Sequence, residues 1–175
     1  MRPRRKSIPS RTVEVFVEIP RGSRNKYEYD EKRNAIRLDR VLYSSVHYPT
    51  DYGFIPGTLA EDGDHLDCLV IVEEPTFPGC IVPIRVIGAL RMIDERGEDN
   101  KILGVPTGDR RFDDIIEVDD LSHHWLREIE NFFQTYKTLQ GVETRVLGWD
   151  GADTAWDIIE ACRARSVEKG HKGAF

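Results

Sequence analysis

The sequence lacks the features that mark membrane-spanning, secreted and general nucleic-acid-binding proteins. It contains no apolar run of the roughly 18 residues that a membrane-spanning helix needs. Its basic start is not followed by the apolar stretch of a secretory signal. Acidic residues outnumber basic ones by 31 to 25, so the chain offers no broad positive surface to nucleic acid. We therefore expect a cytoplasmic protein with neither a membrane nor a nucleic-acid partner.

Cysteine is also scarce. The chain has three cysteines, Cys68, Cys80 and Cys162, an odd number without C-x-x-C spacing. This pattern argues against a disulfide framework and fits reduced thiols inside a cell. Cys68 lies in an apolar run and is predicted to be a small core residue.

The length and composition predict one domain with its own core. The chain has 175 residues, of which 39% are hydrophobic. Residues 1–11 carry five basic side chains, two prolines and almost nothing apolar. They cannot bury enough surface to offset the entropy lost on ordering. We expect residues 1–11 to form a flexible basic arm and residues 12–175 to form a single domain.

Short strand patterns fill most of the remaining chain, and helical spacing enters late. Alternating or continuous apolar runs predict strands at 12–19, 27–29, 36–41, 68–72, 81–92 and 101–105. Apolar residues recur at helical spacing over 125–136 and again over 155–162, where Asp153 is predicted to cap the helix. The fold class is therefore α+β and mainly β, with a small barrel of strands and C-terminal helices.

The segment Asp62-Gly63-Asp64-His65-Leu66-Asp67 brings three carboxylates to the entrance of a predicted strand. Carboxylates this close repel one another unless cations bind between them. Oxygen-only ligands suit Mg²⁺, Mn²⁺ or Ca²⁺ better than zinc. An EF-hand is excluded because Asp67 stands where its sharp turn requires glycine and a strand follows. Taken alone, the segment fits a solvated acidic turn equally well.

A second acidic segment, residues 94–101, lies between two predicted strands and by itself favours a polar hairpin tip. Two carboxylate loops at strand ends could nevertheless converge on several cations, as a two-metal phosphoryl-transfer site requires. Phosphate oxygens would also need positive and hydroxyl donors. The candidates are Lys26, Arg40, Lys101, Lys137, Tyr48, Tyr52 and Tyr136. Since side chains alternate along a strand, Lys26 and Glu28 are predicted to share one face.

The order of seven motifs resembles that of the family I soluble inorganic pyrophosphatases. The motifs are Glu18-Ile19-Pro20, Lys26-Tyr27-Glu28, Asp39-Arg40, Tyr48-Pro49-Thr50-Asp51-Tyr52-Gly53, Asp62-Gly63-Asp64-His65-Leu66-Asp67, Asp94-Glu95-Arg96-Gly97-Glu98-Asp99-Asn100-Lys101 and Phe132-Phe133-Gln134-Thr135-Tyr136-Lys137. The resemblance implies an OB-like five-stranded β-barrel with flanking helices and an active site at one end. It also implies a homo-oligomer, a hexamer in bacteria.

The resemblance further implies hydrolysis of pyrophosphate to two phosphates with several Mg²⁺ ions, for which Mn²⁺ is an alternative. In the implied mechanism, two ions share Asp67 and activate a bridging water, and Asp64 accepts its proton. The implied metal ligands are Asp62, Asp67, Asp94, Asp99 and Glu28. The implied pyrophosphate ligands are Lys26, Arg40, Tyr52, Lys101, Tyr136 and Lys137. Supporting roles fall to Glu18, Tyr48, Glu95 and Glu98.

One departure from the family pattern and two rival functions remain. His65 replaces a proline usual in the motif, which is expected to loosen the loop and to place a group titrating near neutral pH among carboxylates. An OB-type module that binds single-stranded nucleic acid is disfavoured, because carboxylates at the barrel mouth would repel the backbone. A metal-dependent phosphohydrolase acting on nucleotides or other phosphate esters stays open.

Overall fold

The computed structural model describes residues 10–171 as a β-barrel with helices packed against it. In this range the strands are β1 (Thr12–Ile19), β2 (Asn25–Asp30), β3 (Ala35–Val41), β4 (Asp51–Ile55), β5 (Leu66–Val70), β6 (Ile81–Asp94), β7 (Gly97–Glu98), β8 (Lys101–Pro106) and β9 (Arg145–Gly151). The α-helices are α1 (His123–Thr135) and α2 (Ala152–Glu168). Most of the predicted arm, residues 1–9, lies outside the described residues.

Five strands close the barrel, as predicted. They follow one another in the order β1, β4, β5, β8 and β6, and β6 pairs back with β1. Strands β5 and β8 run parallel, whereas the other neighbours in this ring are antiparallel. Closure leaves none of the five with an unpaired edge along the ring, so their backbone groups are satisfied within the barrel. Strands β7 and β9 extend the sheet from β6.

Three strands were not predicted from the sequence. Strand β7 is only two residues long, and β9 contains two glycines that interrupt its apolar pattern. Strand β4 contains Gly53 and reads locally as a turn. The glycine has a tertiary reason: a Cβ built there would lie 1.9 Å from the carbonyl oxygen of Phe16 on β1. Close approach of two backbones, invisible in the local pattern, explains why a glycine occupies this strand.

The two faces of the barrel wall are covered by separate apolar clusters. On β5, Cys68 and Val70 pack in the cluster that includes residues of α2, whereas Leu69 belongs to the cluster that includes residues of α1. This division follows from the two-residue side-chain period of a strand. Cys68 is fully buried, which confirms its predicted place in the core. Both helices therefore fix the barrel by burying apolar surface.

The predicted N-cap of α2 is wrong. The helix begins at Ala152, and its N-cap residue is Gly151, which has no side chain to cap with. The Ala152 N–H, which has no partner within the helix, donates instead to the Glu117 carboxylate at 2.9 Å, so a distant side chain satisfies it. Asp153 lies inside the first turn, where its negative charge suits the helix dipole, and it forms an ion pair with Arg11.

Strands β2 and β3, which include the strands predicted at 27–29 and 36–41, form a separate two-stranded hairpin that lies beside the barrel. It contacts the barrel through β1. Within the described residues, no helix is both long and apolar enough to cross a membrane.

Candidate active site

A polar pocket of about 840 Å³ opens at one end of the barrel. Because β5 and β8 run parallel, their first residues lie at the same end, and the antiparallel β6 finishes there. The hairpin β2–β3 and the segment after α1 complete the wall. The predicted site residues that line this pocket are Glu18, Lys26, Glu28, Arg40, Tyr52, Asp62, Asp64, Asp67, Asp94, Glu95, Asp99, Lys101, Tyr136 and Lys137.

The base of the pocket holds a group that we call the deep triad, formed by Asp67, Asp99 and Lys101. The Lys101 ammonium donates to Asp67 at 2.8 Å and to Asp99 at 3.0 Å. The Tyr52 hydroxyl also donates to Asp67, at 2.6 Å, and accepts from Lys101 at 3.1 Å. Only 1% of the Lys101 surface is exposed. The start of β8 thus places the buried Lys101 ammonium between the carboxylates of Asp67 and Asp99.

The combined effect of burial and neighbouring charges raises the pKa values of both Lys101 and Asp99 in the deep triad. Burial by itself disfavours the Lys101 ammonium, but Asp67 and Asp99 outweigh it and hold the pKa of Lys101 above its ordinary value. Burial also raises the pKa of Asp99, and the neighbouring carboxylates of Asp67 and Asp94 add to the effect despite Lys101. The group has two carboxylates for one ammonium, so a further cation would be stabilised.

A second group, the outer triad, consists of Asp62, Asp64 and Arg96. The Arg96 guanidinium lies 3.2 Å from Asp64 and 3.6 Å from Asp62. The side chains of Arg96 and Asp64 are 58% and 67% exposed, so water screens this group. Sequence reasoning did not single out Arg96. The sequence contains a weak indication of its role, because Arg96 is the one basic residue between Asp94 and Asn100 in an otherwise acidic segment.

Lys137, just after α1, approaches the pocket from a third side. Its ammonium lies 3.5 Å from both the Asp94 and the Glu95 carboxylates. Burial lowers the pKa of Lys137, but Tyr136, Glu95 and Asp94 together more than reverse this and raise it. Tyr136 is itself buried and stacks on Phe132, so the end of α1 is a firm support for the cation.

The hairpin contributes a fourth group of charges. Lys26 contacts Glu28, as the predicted common face requires, and lies 3.4 Å from Asp39. The same Asp39 oxygen accepts from Arg40 at 2.7 Å. The Nε atom of Arg40 is buried and has no hydrogen-bond partner in the part of the chain that the structure describes. Asp39, which sequence reasoning left without a role, therefore orients both basic side chains.

The supporting residues lie in different places. Glu18 lines the pocket and accepts from the Tyr29 N–H at 2.8 Å, while burial is the main cause that raises its pKa to about 8. Tyr48 is buried behind the pocket, with its ring 5.4 Å from that of Tyr52. Glu98 does not line the main pocket. It borders a separate cavity of about 180 Å³ that reaches toward α2.

His65, which is expected from the sequence to loosen its loop, is in contact with neighbouring segments. Its ring stacks on Phe54 at 4.5 Å, and its Nδ1 lies 2.9 Å from the Thr58 carbonyl oxygen. Its Nε2 lies 2.8 Å from a Glu31 carboxylate oxygen in the hairpin turn. Three contacts therefore hold the residue that replaces proline.

The donor set of the pocket suits a hard divalent cation. Asp62, Asp67, Asp94, Asp99 and Glu28 offer carboxylate oxygens, the ligands that Mg²⁺ and Mn²⁺ prefer. The deep triad has two carboxylates for one ammonium, and such an ion would neutralise the negative charge that remains.

Comparison with known proteins agrees with this chemistry. The model of the inorganic pyrophosphatase family matches residues 15–166. An inorganic pyrophosphatase of Geobacillus stearothermophilus is 51% identical over 163 residues, covering 93% of this chain and 99% of that protein. An inorganic pyrophosphatase of Methanosarcina acetivorans is 49% identical over 163 residues, covering 93% and 97%.

Solved structures give the same result for the fold. The crystal structure of inorganic pyrophosphatase from Thermus thermophilus superimposes with a TM-score of 0.88 at 47% identity, covering 93% of this chain and 94% of that one. An inorganic pyrophosphatase from Helicobacter pylori has a TM-score of 0.88 at 36% identity, covering 92% and 96%.

Proposed function

The chain belongs to the inorganic pyrophosphatase family, and on this premise we propose that its acidic pocket binds Mg²⁺ together with pyrophosphate. The activity is that of an inorganic diphosphatase, which hydrolyses pyrophosphate to two phosphates. The family generally uses a divalent metal ion. The observation that best supports Mg²⁺ is the deep triad, where two carboxylates at the base of the pocket face a single buried lysine.

Five carboxylates would hold the ions: Asp62, Asp67, Asp94, Asp99 and Glu28. When bound, Mg²⁺ would neutralise charge on pyrophosphate and lower the pKa of the attacking water. Asp67 is the best candidate for a shared ligand, because it lies in the deep triad, at the second residue of β5 at the base of the pocket. Tyr52 and Lys101 both donate to its Oδ2 and so fix the orientation of the carboxylate.

Asp64 would accept the proton of the attacking water at a carboxylate oxygen. Its side chain is exposed to the pocket and its contact with Arg96 is a screened surface one, so the carboxylate can turn toward a water. Glu18 cannot fill this role as readily, because a group with a pKa of about 8 is mostly protonated at neutral pH.

The phosphate oxygens would be bound by the basic and hydroxyl side chains of the wall: Lys26, Arg40, Tyr52, Lys101, Tyr136 and Lys137. The buried and unpartnered Nε of Arg40 supports this assignment, since an orphan donor is a ready site for an anion oxygen. Lys26 in the hairpin and Lys137 after α1 both line the pocket and would stabilise charge on the leaving phosphate. Tyr48, Glu18, Glu95 and Glu98 would support these residues.

We also propose that residues 12–175 act as one domain, that the protein is cytoplasmic and that it forms a homo-oligomer, a hexamer by family resemblance. The three cysteines are free, which supports a reducing compartment. Light scattering would measure the oligomer.

The test of the function is phosphate release from pyrophosphate, compared with release from ATP and from a sugar phosphate, in Mg²⁺. We expect hydrolysis of pyrophosphate to dominate, to vanish in EDTA and to return with Mg²⁺ or Mn²⁺. Ca²⁺ should substitute poorly, because it is larger and more loosely coordinated. Full activity after exhaustive chelation would contradict the metal assignment, and equal rates on ATP would favour the broader phosphohydrolase.

A further inference from the structure

A second group of metal-ligating side chains lies at the rim of the pocket and has no role in pyrophosphate hydrolysis as derived above. It consists of Glu31 in the β2–β3 turn, His65 in the acidic loop and His171 after α2. One ligand atom of each lies within 4.8 Å of those of the other two. Three segments far apart in the sequence thus meet through nitrogen and oxygen donors.

The hydrogen bonds of His65 leave two acceptors facing each other. A carbonyl oxygen only accepts, so the Nδ1 of His65, 2.9 Å from the Thr58 carbonyl, carries the hydrogen. In the neutral ring, Nε2 is then a lone pair, and it lies 2.8 Å from a Glu31 carboxylate oxygen. Two acceptors approach this closely only with a positive charge between them, which is either a proton on Nε2 or a metal ion.

His171 supplies an independent observation. Its Nε2 is buried and has no hydrogen-bond partner among residues 10–171, and a buried polar atom without a partner destabilises the folded state. The residue is held in place, because its N–H donates to the Ser166 carbonyl at 3.0 Å and its ring lies 5.1 Å from that of His65. His171, just after α2, therefore places at the rim of the pocket an imidazole nitrogen without a hydrogen-bond partner in the described part of the chain.

The chemistry of the three donors selects a metal different from that of the pocket. Two imidazoles with one carboxylate suit Zn²⁺ and similar borderline ions, whereas Mg²⁺ prefers oxygen ligands alone. Three protein ligands would leave a fourth position for water. The hydrogen bond from His65 to the Thr58 carbonyl is the usual outer contact that fixes a ligand tautomer.

We propose that Glu31, His65 and His171 bind one Zn²⁺ ion that fastens the hairpin turn and the segment after α2 to the acidic loop. Donor atoms around a tetrahedral zinc lie about 3.3 Å apart, given bonds of about 2.0 Å. The Glu31 oxygen would move out slightly from its present 2.8 Å to His65 Nε2, and His171 would move in from a separation of at most 4.8 Å. Glu31 is exposed and His171 follows the end of α2, so side-chain rotations supply both movements. The bound ion would tie three walls of the pocket rim together.

The experiment is calorimetric titration of the full chain with Zn²⁺ at neutral pH in a large excess of Mg²⁺, which occupies the carboxylates of the pocket. We expect one Zn²⁺ per chain. His171→Ala and Glu31→Gln should each weaken this binding at least about 100-fold, because loss of a direct ligand should exceed the 10- to 100-fold typical of outer-shell partners. The matched control is His123→Ala, which removes an exposed histidine on α1.

Both ligand variants should retain hydrolysis of pyrophosphate in Mg²⁺, which separates this proposal from the function itself. The zinc site is overturned if the wild-type chain takes up no Zn²⁺ under these conditions, since a proton on His65 then explains the close contact with Glu31. It is equally overturned if His171→Ala and Glu31→Gln bind Zn²⁺ as the wild type does, because the ion then occupies the carboxylates.

Discussion

The deep and the outer triad have the same composition, two aspartates around one cation, but opposite surroundings. Lys101 is 1% exposed and lies at the first residue of a barrel strand, whereas the Arg96 side chain is 58% exposed in the connection between β6 and β7. Breaking a buried pair typically costs about 3–5 kcal/mol, while exposed pairs contribute about 0–1 kcal/mol. We infer that the deep triad fixes the geometry of the site and that the outer triad remains adjustable.

The largest effect is expected from Asp67→Asn in the deep triad. A neutral side chain replaces the anionic ligand proposed to be shared by two ions, so metal affinity and turnover should both fall. The combined loss at limiting Mg²⁺ should exceed that of any change in the outer triad. Calorimetric Mg²⁺ titration with steady-state rates measures both, and Asp157→Asn on the exposed face of α2 is the control. A variant that keeps both affinity and rate would show that the site is misplaced.

In the outer triad, Asp64→Asn should lower turnover by about 100- to 10,000-fold, the usual loss for a general base. Its Mg²⁺ affinity should change much less than that of Asp67→Asn, because Asp64 is proposed to take a proton rather than to hold the ions. The same titration and rate measurements decide the matter. A rate near that of the wild type would assign the proton to another group.

Lys101→Met tests the stability of the deep triad rather than its chemistry. In metal-free protein, Asp67 and Asp99 would lose their buried cation, so the free energy of unfolding should fall by about 3–5 kcal/mol. Added Mg²⁺ should recover more stability in this variant than in the wild type, since it would supply the missing positive charge. Denaturant unfolding in EDTA and in Mg²⁺ measures both, with exposed Lys32→Met as control. If Lys101→Met and Lys32→Met lowered the free energy of unfolding equally, burial of Lys101 would make no difference and the deep triad would not stabilise the fold.

The smallest effect is expected from Arg96→Gln. Its ion pairs with Asp62 and Asp64 are exposed, so the free energy of unfolding should change by at most about 1 kcal/mol and turnover by no more than about fivefold. The same unfolding and rate assays apply, and raised ionic strength should reproduce most of the change in the wild type. A loss as large as that of Lys101→Met would mean that the outer triad also holds the site together.

Sequence patterns predicted much of the local structure and a site of carboxylates suited to hard cations. The alternation in β1 and the helical spacing in α1 predicted those elements, because side-chain periods of 2 and 3.6 residues are local properties of the backbone. The acidic segments predicted a hard-cation site for a similar reason, since charges close in sequence must lie close in space. Strand β4 was not predicted, because Gly53 is required by close contact with the Phe16 backbone on β1 and not by the local sequence pattern.

Contacts between distant segments needed the tertiary structure. The parallel pairing of β5 with β8 brings Asp67 to Lys101 across 34 positions, and the β6–β7 connection carries Arg96 to Asp64 across 32. The meeting of His171 with His65 likewise depends on where α2 ends. Composition and spacing alone determined which groups this protein has and what ions suit them. Only the closed barrel decided which of them meet and which are buried, because chain topology sets the distances and burial sets the strength of every charge in the site.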